Sequence, residues 1–428
     1  AEDTAESADE AKDAAEDAAD AAEEAAEDAS DAAESASEAS SALEAGYSDW
    51  VLDELDDLAF DANQGDFVVR NELLVIATPN QVEALKRLSE IALISRELLS
   101  TLDLSLAKFA VRSGYQLETV RETLRRRFPD LSVDFNHGYE LAQRTGAQGE
   151  TPDSVTEFYR RPPHPPNSDI RLGMIDSQVD SDHHALVQAR ISQRDFLDQE
   201  LGRGQKPSRQ HGTAVASLLL ADSPELSGLV PQAELYNASI FSEHPERGLI
   251  TTTHSLMRGL DWLASEQLGV INISLAGPAN QTLERVIQAL TERGIWLVAA
   301  AGNQGPLSPP RYPAAYPGVI AVTAVDTDRK VYRHASRGPH LDYAAPGVAL
   351  LVASTGGDSG FERVSGTSYA TALVSGLIAH YRAESGSRAD LQARLERELV
   401  DLGEPGVDPV FGRGLLGKSL LLEPRQPP

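Results

Sequence analysis

Five short apolar runs that end in small residues set the architecture of residues 171–428. They are IRLGMID (170–176), AELYNASI (233–240), GVINISLAG (269–277), GIWLVAAAGN (294–303) and GVIAVTAVD (318–326). None alternates polar and apolar residues, so each reads as a strand buried on both faces. Helical stretches fill the gaps: HGTAVASLLLA (211–221), TTTHSLMRGLDWLASEQ (251–267), QTLERVIQALTERG (281–294) and TSYATALVSGLIAHYRA (367–383). Alternation of this kind predicts an α/β domain, three layers deep, with a mainly parallel sheet covered by helices on both sides. Ligands of such sheets bind beyond the carboxyl ends of the strands.

Three residues on that rim carry chemistry. Asp176 ends the first run, His211 opens the first helix, and Ser368 opens the last. A serine hydroxyl is a weak nucleophile at neutral pH. It needs an imidazole to take its proton, and a carboxylate to fix the imidazole's tautomer and stabilise the imidazolium. A serine at a helix start also lies beside backbone N–H groups and the positive end of the helix dipole, which suits a developing oxyanion. Gly212 and Gly366 leave room for a substrate backbone.

The segments IDS (175–177), HGTAVASLL (211–219), INISLAGP (271–278), VAAAGNQGP (298–306), YPAAYPGVIAVTAVD (312–326), YAAPG (343–347) and SGTSYATALVSG (365–376) occur in one fixed order. Together with DPVFGRGLL (408–416) they resemble the subtilisin-like serine proteases over residues 171–420. The resemblance implies that Asp176 orients, His211 is the general base and Ser368 the nucleophile. Asn303 would donate its side-chain amide to the oxyanion beside the Ser368 backbone N–H. Ser274, Leu275, Ala276 and Gly277 would form the edge that pairs with an extended peptide. With Ala300, Ala301 and Gly302 they would line a primary specificity pocket of small residues, roomy enough for a medium or large apolar side chain. No cofactor is implied for the chemistry. Structural calcium in such proteins uses scattered loop oxygens, and no contiguous motif here supports it.

A second serine, Ser359, lies in Gly-Asp-Ser-Gly, the phrase around the chymotrypsin-type nucleophile. That family needs its histidine first and a double β-barrel, and this chain offers neither, so Ser359 reads as a turn residue. The cluster DSDHH (180–184) reads as a helix cap rather than a metal site. His254, His334, His340 and His380 lie in no recognisable phrase and read as structural or exposed. Three departures from the family pattern stand out: Gln178 replaces a glycine beside the catalytic carboxylate, and Ala372 and Leu373 follow the nucleophile motif. None removes a group that carries charge or protons. Gln178 nevertheless sustains a second reading, a catalytically impaired binding protein on the same fold.

Upstream, NELLVIAT (71–78), PNQVEALKRLSEI (79–91), ELLSTLDL (97–104), LAKFAVR (106–112), QLETVRETLRRRF (116–128) and LSVDFNHGYEL (131–141) read as β-α-β-β-α-β, a small ferredoxin-like α+β domain over 47–145. Arg125, Arg126 and Arg127 read as a solvated helix face. Residues 146–170, rich in proline and polar side chains, read as a linker. The position of the small domain resembles that of a subtilase propeptide, which implies an intramolecular inhibitor. Its tail, NHGYELAQ (136–143), would lie along SLAG as a product-like strand, and the chain would cut itself between about Tyr139 and Gly149.

Residues 1–46 hold seventeen acidic residues and one lysine, so this stretch carries −16 of the chain's net −29. Its alanines keep a heptad from Ala8 to Ala39. Buried methyl groups contribute little and the acids repel, so the segment reads as a solvated, helical or disordered spacer, with helical self-association as the second reading. A pI near 4.7 disfavours nucleic acid and anionic lipid as partners. There are no cysteines, which removes disulfides and thiol chemistry. No apolar run approaches the roughly 20 residues of a membrane span. The chain starts at Ala1, which a removed leader or a recombinant start would explain. These observations lead to the expectation of an exported, extracytoplasmic serine endopeptidase acting on protein or peptide substrates, made as a self-processed zymogen.

Overall fold

A computed structural model describes residues 50–52, 58–61, 66–141, 144–145, 155–165, 169–197, 207–244, 248–356 and 360–422. The segment 1–46, residues 146–154 of the linker and Ser359 lie outside the described residues. The chain divides into two compact units, Ala1–Leu55 with Ala59–Gly65, and Asp56–Leu58 with Asp66–Pro428. In the first, Trp50, Val51 and Leu52 pair antiparallel with Asp61, Phe60 and Ala59.

The second unit contains a nine-stranded sheet. Its order is Leu399–Val400, Leu415–Leu416, Tyr343–Pro346, Val319–Val325, Trp296–Ala300, Val270–Ile273, Arg171–Asp176, Glu234–Ser239 and Arg190–Asp195. Every neighbouring pair is parallel except Leu399–Val400 with Leu415–Leu416. Side chains alternate along each strand. Leu172 and Met174 face a core with Val215 and Leu219 of helix Gln210–Leu220 and Leu373 and Leu377 of helix Thr367–Glu384. Ile175, Ile271 and Leu297 face the opposite core, with Leu256 and Leu260 of helix Thr253–Ser265 and Val286 and Leu290 of helix Gln281–Glu292. Two covered faces explain why these strands are apolar at consecutive positions. The edge strand Arg190–Asp195, mostly exposed, carries polar residues and is invisible to such a pattern.

Residues 66–141 form a four-stranded antiparallel sheet in the order Ile91–Leu99, Leu104–Val111, Asp66–Ile76, Ser132–Leu141, with helices Pro79–Leu85 and Leu117–Arg127. The first helix is shorter than its sequence suggests. Thr78 and Gln81 close its start as a capping box, with Pro79 behind the cap. It ends at Leu85 because Ile91, buried to 1 %, must already pair with Val111. The strand expected within 97–104 therefore begins at Ile91, and part of the expected segment is the turn into Leu104. Arg125 is not simply solvated. It donates to the Val133 carbonyl at 2.9 Å and pairs with Asp134 at 2.9 Å, while Arg126 and Arg127 are exposed.

The last strand of this sheet reaches two helix starts, where leading N–H groups lack partners within their own helix. Asp134 accepts from Gln281 N at 2.8 Å, and Asn136 Oδ1 accepts from His254 N at 3.1 Å. Asn280 caps the Gln281–Glu292 helix through Oδ1, which accepts from Thr282 N and Leu283 N. That fixes its Nδ2 toward the Phe135 carbonyl (2.9 Å) and His137 Nδ1 (2.8 Å). The buried His137 ring therefore presents an unprotonated Nδ1 as acceptor.

The turn after Leu99 is clamped as well. Asp261 accepts from both Thr101 N and Leu102 N at 3.0 Å, and Arg293 donates to the Thr101 carbonyl at 2.9 Å. Burial pushes the Asp261 carboxyl above its usual range, against the pull of the Leu102 and Thr101 N–H groups. Hydrogen bonds to a charged group contribute about 1.5–3 kcal/mol. In Asp261→Ala, hydrogen exchange at the Thr101 and Leu102 amides should therefore accelerate roughly 10- to 100-fold, while amides of helix Gln210–Leu220 keep their rates. Unchanged exchange at those two amides would show that the clamp carries no load.

Candidate active site

Asp176 is the last residue of strand Arg171–Asp176, and His211 the second residue of helix Gln210–Leu220. Both have no exposed surface. His211 Nδ1 lies 2.7 Å from Asp176 Oδ1, which also accepts from Ser177 N at 2.7 Å. The carboxylate acceptor makes Nδ1 the protonated nitrogen and leaves Nε2 bare in the neutral ring. Nε2 is buried, with no hydrogen-bond partner among the described residues. The helix reaches this position because residue 212 is glycine. A Cβ there would lie 2.4 Å from the Ser177 carbonyl and 2.6 Å from that of Gln178. The Gly212 N–H donates to Ser177 Oγ at 2.8 Å.

Ser368 is the second residue of helix Thr367–Glu384, fully buried, and its hydroxyl donates to the Ser274 carbonyl at 3.1 Å. The His211 ring packs against Tyr369, the next residue, with centroids 5.4 Å apart. The imidazole thus lies beside the N-terminal end of the helix that carries the hydroxyl, and no hydrogen bond joins His211 Nε2 to Ser368 Oγ. Asn303 completes the group. Its Oδ1 accepts from Thr367 N at 3.1 Å and Thr367 Oγ1 at 3.0 Å, which orients the amide. Its Nδ2 is buried with no partner among the described residues. An orphaned buried N–H costs about 1–3 kcal/mol unless something accepts from it, so this geometry suits a group that receives negative charge.

The two segments expected to line a pocket do meet, since Ala276 packs against Ala300. Gly302 takes φ 104°, a conformation that favours glycine, and its N–H donates to Thr367 Oγ1 at 3.2 Å. Ala301 hydrogen-bonds through its N–H to the Val322 carbonyl at 3.0 Å. Leu275 and Ala276 pair antiparallel with Leu141 and Glu140 of this same chain. On the other side of that segment, Ile250, Thr251 and Thr252 pair with Glu140, Tyr139 and Gly138. The Tyr139 ring covers Gly277, where a Cβ would come within 2.1 Å of it, and its hydroxyl donates to the Pro278 carbonyl at 3.0 Å. Arg144 and Thr145 pair with Ser365 and Val364, just before Ser368.

Several partners carry no sequence signal of their own. Thr367 aims Asn303, and a buried chain runs from Ser375 Oγ to Asn272 Oδ1 (3.1 Å) and from Asn272 Nδ2 to Ser274 Oγ (2.8 Å). Thr367 alone was findable, as the residue before the serine in Gly-Thr-Ser. Gln178 turns away from the Asp–His pair: its N–H donates to the Ser208 carbonyl at 2.9 Å, and its side chain reaches Asp195 at 3.3 Å. His183 and His184 stack on each other with centroids 4.5 Å apart. Among the described residues, no group of three or more His, Cys, Asp or Glu is arranged to hold a metal ion. His254 bonds to Glu97, whose carboxyl burial alone would raise; that hydrogen bond and the neighbouring positive charges hold it below its usual range.

Comparison with known proteins identifies the family. Subtilisin E of Bacillus subtilis (strain 168) is 34 % identical over 258 residues, covering 58 % of this chain and 64 % of the relative. The minor extracellular protease Epr of the same organism is 28 % identical over 252 residues, and the match covers 37 % of its length. This chain thus spans only part of either relative. Subtilisin of Bacillus pumilus is 33 % identical, with 89 % of its length covered. Among solved structures, the protease domain of PatA matches with a TM-score of 0.51 and 29 % identity, covering 59 % of this chain and 94 % of that one. Fervidolysin from Fervidobacterium pennivorans, a keratinolytic enzyme related to subtilisin, shares the fold at a TM-score of 0.66 and 20 % identity, over 86 % of this chain and 62 % of its own. The family model of the subtilases, Peptidase_S8, matches residues 167–414, more than half of the chain, and the protein belongs to that family.

Proposed function

We propose that the protein is a serine endopeptidase that hydrolyses peptide bonds through an acyl-enzyme on Ser368. The observation that carries this reading is the buried Asp176–His211 hydrogen bond, which leaves Nε2 bare at the helix start that bears Ser368. His211 Nε2 takes the hydroxyl proton as Ser368 Oγ bonds to the substrate carbonyl carbon. Asp176 stabilises the imidazolium. The Asn303 amide and the Ser368 N–H donate to the oxyanion. His211 then gives its proton to the leaving amine, and water, deprotonated by the same ring, releases the acyl group. The segment 274–277 binds residues before the scissile bond as an added strand, with Ala300, Ala301 and Gly302 on the pocket wall. None of these steps uses a cofactor.

Residues 47–145 act, in this reading, as an inhibitory domain; the linker expected over 146–170 is shorter than its composition suggests, since Val155 and Tyr159 are already buried in the core beside Leu377. The pairing of Leu141 with Leu275 and of Arg144 with Ser365 supports the inhibitory reading, because the chain is then tied both to the edge segment 274–277 and to the strand that leads into Ser368. Ala142 and Gln143, outside the described residues, are the only residues between those two pairings. We therefore narrow self-cutting to the Ala142–Gln143 bond. Export fits a chain without cysteine, and extracellular is the word in the name of the Epr relative.

Two measurements test this. In subtilisin, loss of the nucleophile costs about 10⁶ in kcat and loss of one oxyanion donor about 10² to 10³. Ser368→Ala should fall to a trace on casein, and Asn303→Leu by the smaller factor with little change in KM. Equal activity of Ser368→Ala and wild type would overturn the assignment. Intact-mass analysis of wild type should give a fragment beginning at Gln143, absent from Ser368→Ala. A wild type that digests casein yet stays uncut, or that is cut outside 141–144, would refute the processing site.

A further inference from the structure

We propose that Gln210 and His183 are positioning residues that hold the β-hairpin which receives substrate residues beyond the scissile bond, so that they set selectivity on that side of the site. The inference rests on the peptidase reading above and adds the part of the site that reading leaves open.

Strands Leu350–Ala353 and Phe361–Ser365 form an antiparallel hairpin, from Leu350↔Val364 to Ala353↔Phe361. The outer strand runs through Gly366 and Thr367 directly into Ser368. Its free edge is taken by Arg144 and Thr145, while Glu140 and Leu141 occupy the opposite edge at Ala276 and Leu275. The hairpin therefore binds the far side of a peptide by the same strand addition that Leu275–Ala276 provides on the near side.

A two-stranded hairpin is only marginally stable alone and needs packing to fix its place. Here Gln210, the residue before His211, supplies it. Its Oε1 accepts from Thr355 N at 2.9 Å and also from Thr355 Oγ1. Its Nε2 donates to Ser354 Oγ at 2.9 Å and to Glu362 Oε1 on the outer strand. A side-chain amide has two donor hydrogens and two acceptor lone pairs, and all four are spent on this hairpin. The residue does not cap its own helix, which has no side-chain cap bond at Arg209. His183 grips the other end. Its Nδ1 accepts from Ala185 N at 3.1 Å, so the proton sits on Nε2, which donates to the Gly360 carbonyl at 2.7 Å. The Phe361 ring meets His183 and His184 edge-on, with centroids 5.6 and 5.0 Å away. Ala353 N donates to Ser217 Oγ at 3.0 Å, fixing the inner strand to the same helix that carries His211.

One residue pair thus serves two tasks. His211 packs beside Tyr369, the residue after Ser368, and Gln210, its neighbour, fixes how far the outer strand stands from that serine. Substrates that extend past the scissile bond feel this distance; those that end at the leaving group do not. Preorganised edges bind more tightly because less ordering is left to do on binding.

The test uses the self-cut full chain, with active sites counted by a phosphonylating reagent. Two substrates share the same residues before the bond. One ends in p-nitroanilide, and the other continues for four residues and carries a quenched fluorophore. In Gln210→Leu, which keeps the size but removes all four bonds, the ratio of kcat/KM for extended over short substrate should fall about tenfold, mostly through KM. In Gln210→Glu, which sets a carboxylate against Glu362 and guards against a folding failure of the first variant, the ratio should fall likewise. Capture of the acyl-enzyme by a dipeptide amide, relative to water, should drop in parallel. An unchanged ratio, or an equal loss on both substrates, would overturn the inference by assigning Gln210 either no role or a role only in placing His211. A wild type inert to the phosphonylating reagent would instead refute the peptidase reading itself.

Discussion

Asp176 carries its carboxylate where no water reaches it, and the structure around it is arranged to bring donors to one of its two oxygens. A buried carboxylate left without a partner costs several kcal/mol. Here one oxygen takes N–H groups from His211 and Ser177. For the imidazole to arrive, the helix must come within van der Waals contact of the Ser177–Gln178 backbone, and only glycine at 212 permits this. A parallel sheet makes the arrangement affordable in space: it ends strand Arg171–Asp176 and starts helices Gln210–Leu220 and Thr367–Glu384 at the same rim.

The remaining polar groups of the site are aimed by neighbours rather than by their own conformational preference. Thr367 holds the oxygen end of the Asn303 amide and so presents its nitrogen end. Asn272 stands behind Ser274, whose carbonyl takes the Ser368 hydroxyl. Gln210 ties the hairpin to the helix of His211. The same logic appears where residues 66–141 meet the helices, since Asp134 and Asn136 supply acceptors that the starts of two helices lack. Those contacts put an extended strand of the chain between Gly248–Thr252 and Leu275–Ala276. Burying the Tyr139 side chain over Gly277 adds about 1.5–3 kcal/mol to its retention.

The sheet and its four long helices were legible because strands covered on both faces must be apolar throughout, a pattern no surface strand shares. Arg190–Asp195, exposed and polar, was not. The helix starting at Pro79 looks longer in sequence than it is, because Leu88 continues its apolar spacing although Ile91 is already claimed by the sheet. Asp176, His211, Ser368 and Asn303 stood out through their phrases. Apart from Thr367, which lies in the serine's own phrase, their supports did not: Gln210 meets its partners 144 to 152 residues away, and Ser375 meets Asn272 across 103. A bond across such a separation leaves no trace in local spacing, so the architecture was readable and its fine positioning was not.

The most direct test of the central claim is to treat the full chain with a fluorophosphonate and map the adduct by mass spectrometry of its peptides. An activated serine predicts one adduct, on Ser368, abolished in His211→Ala and absent from Ser359. A chain that stays unlabelled, or labels equally well without His211, would contradict the account.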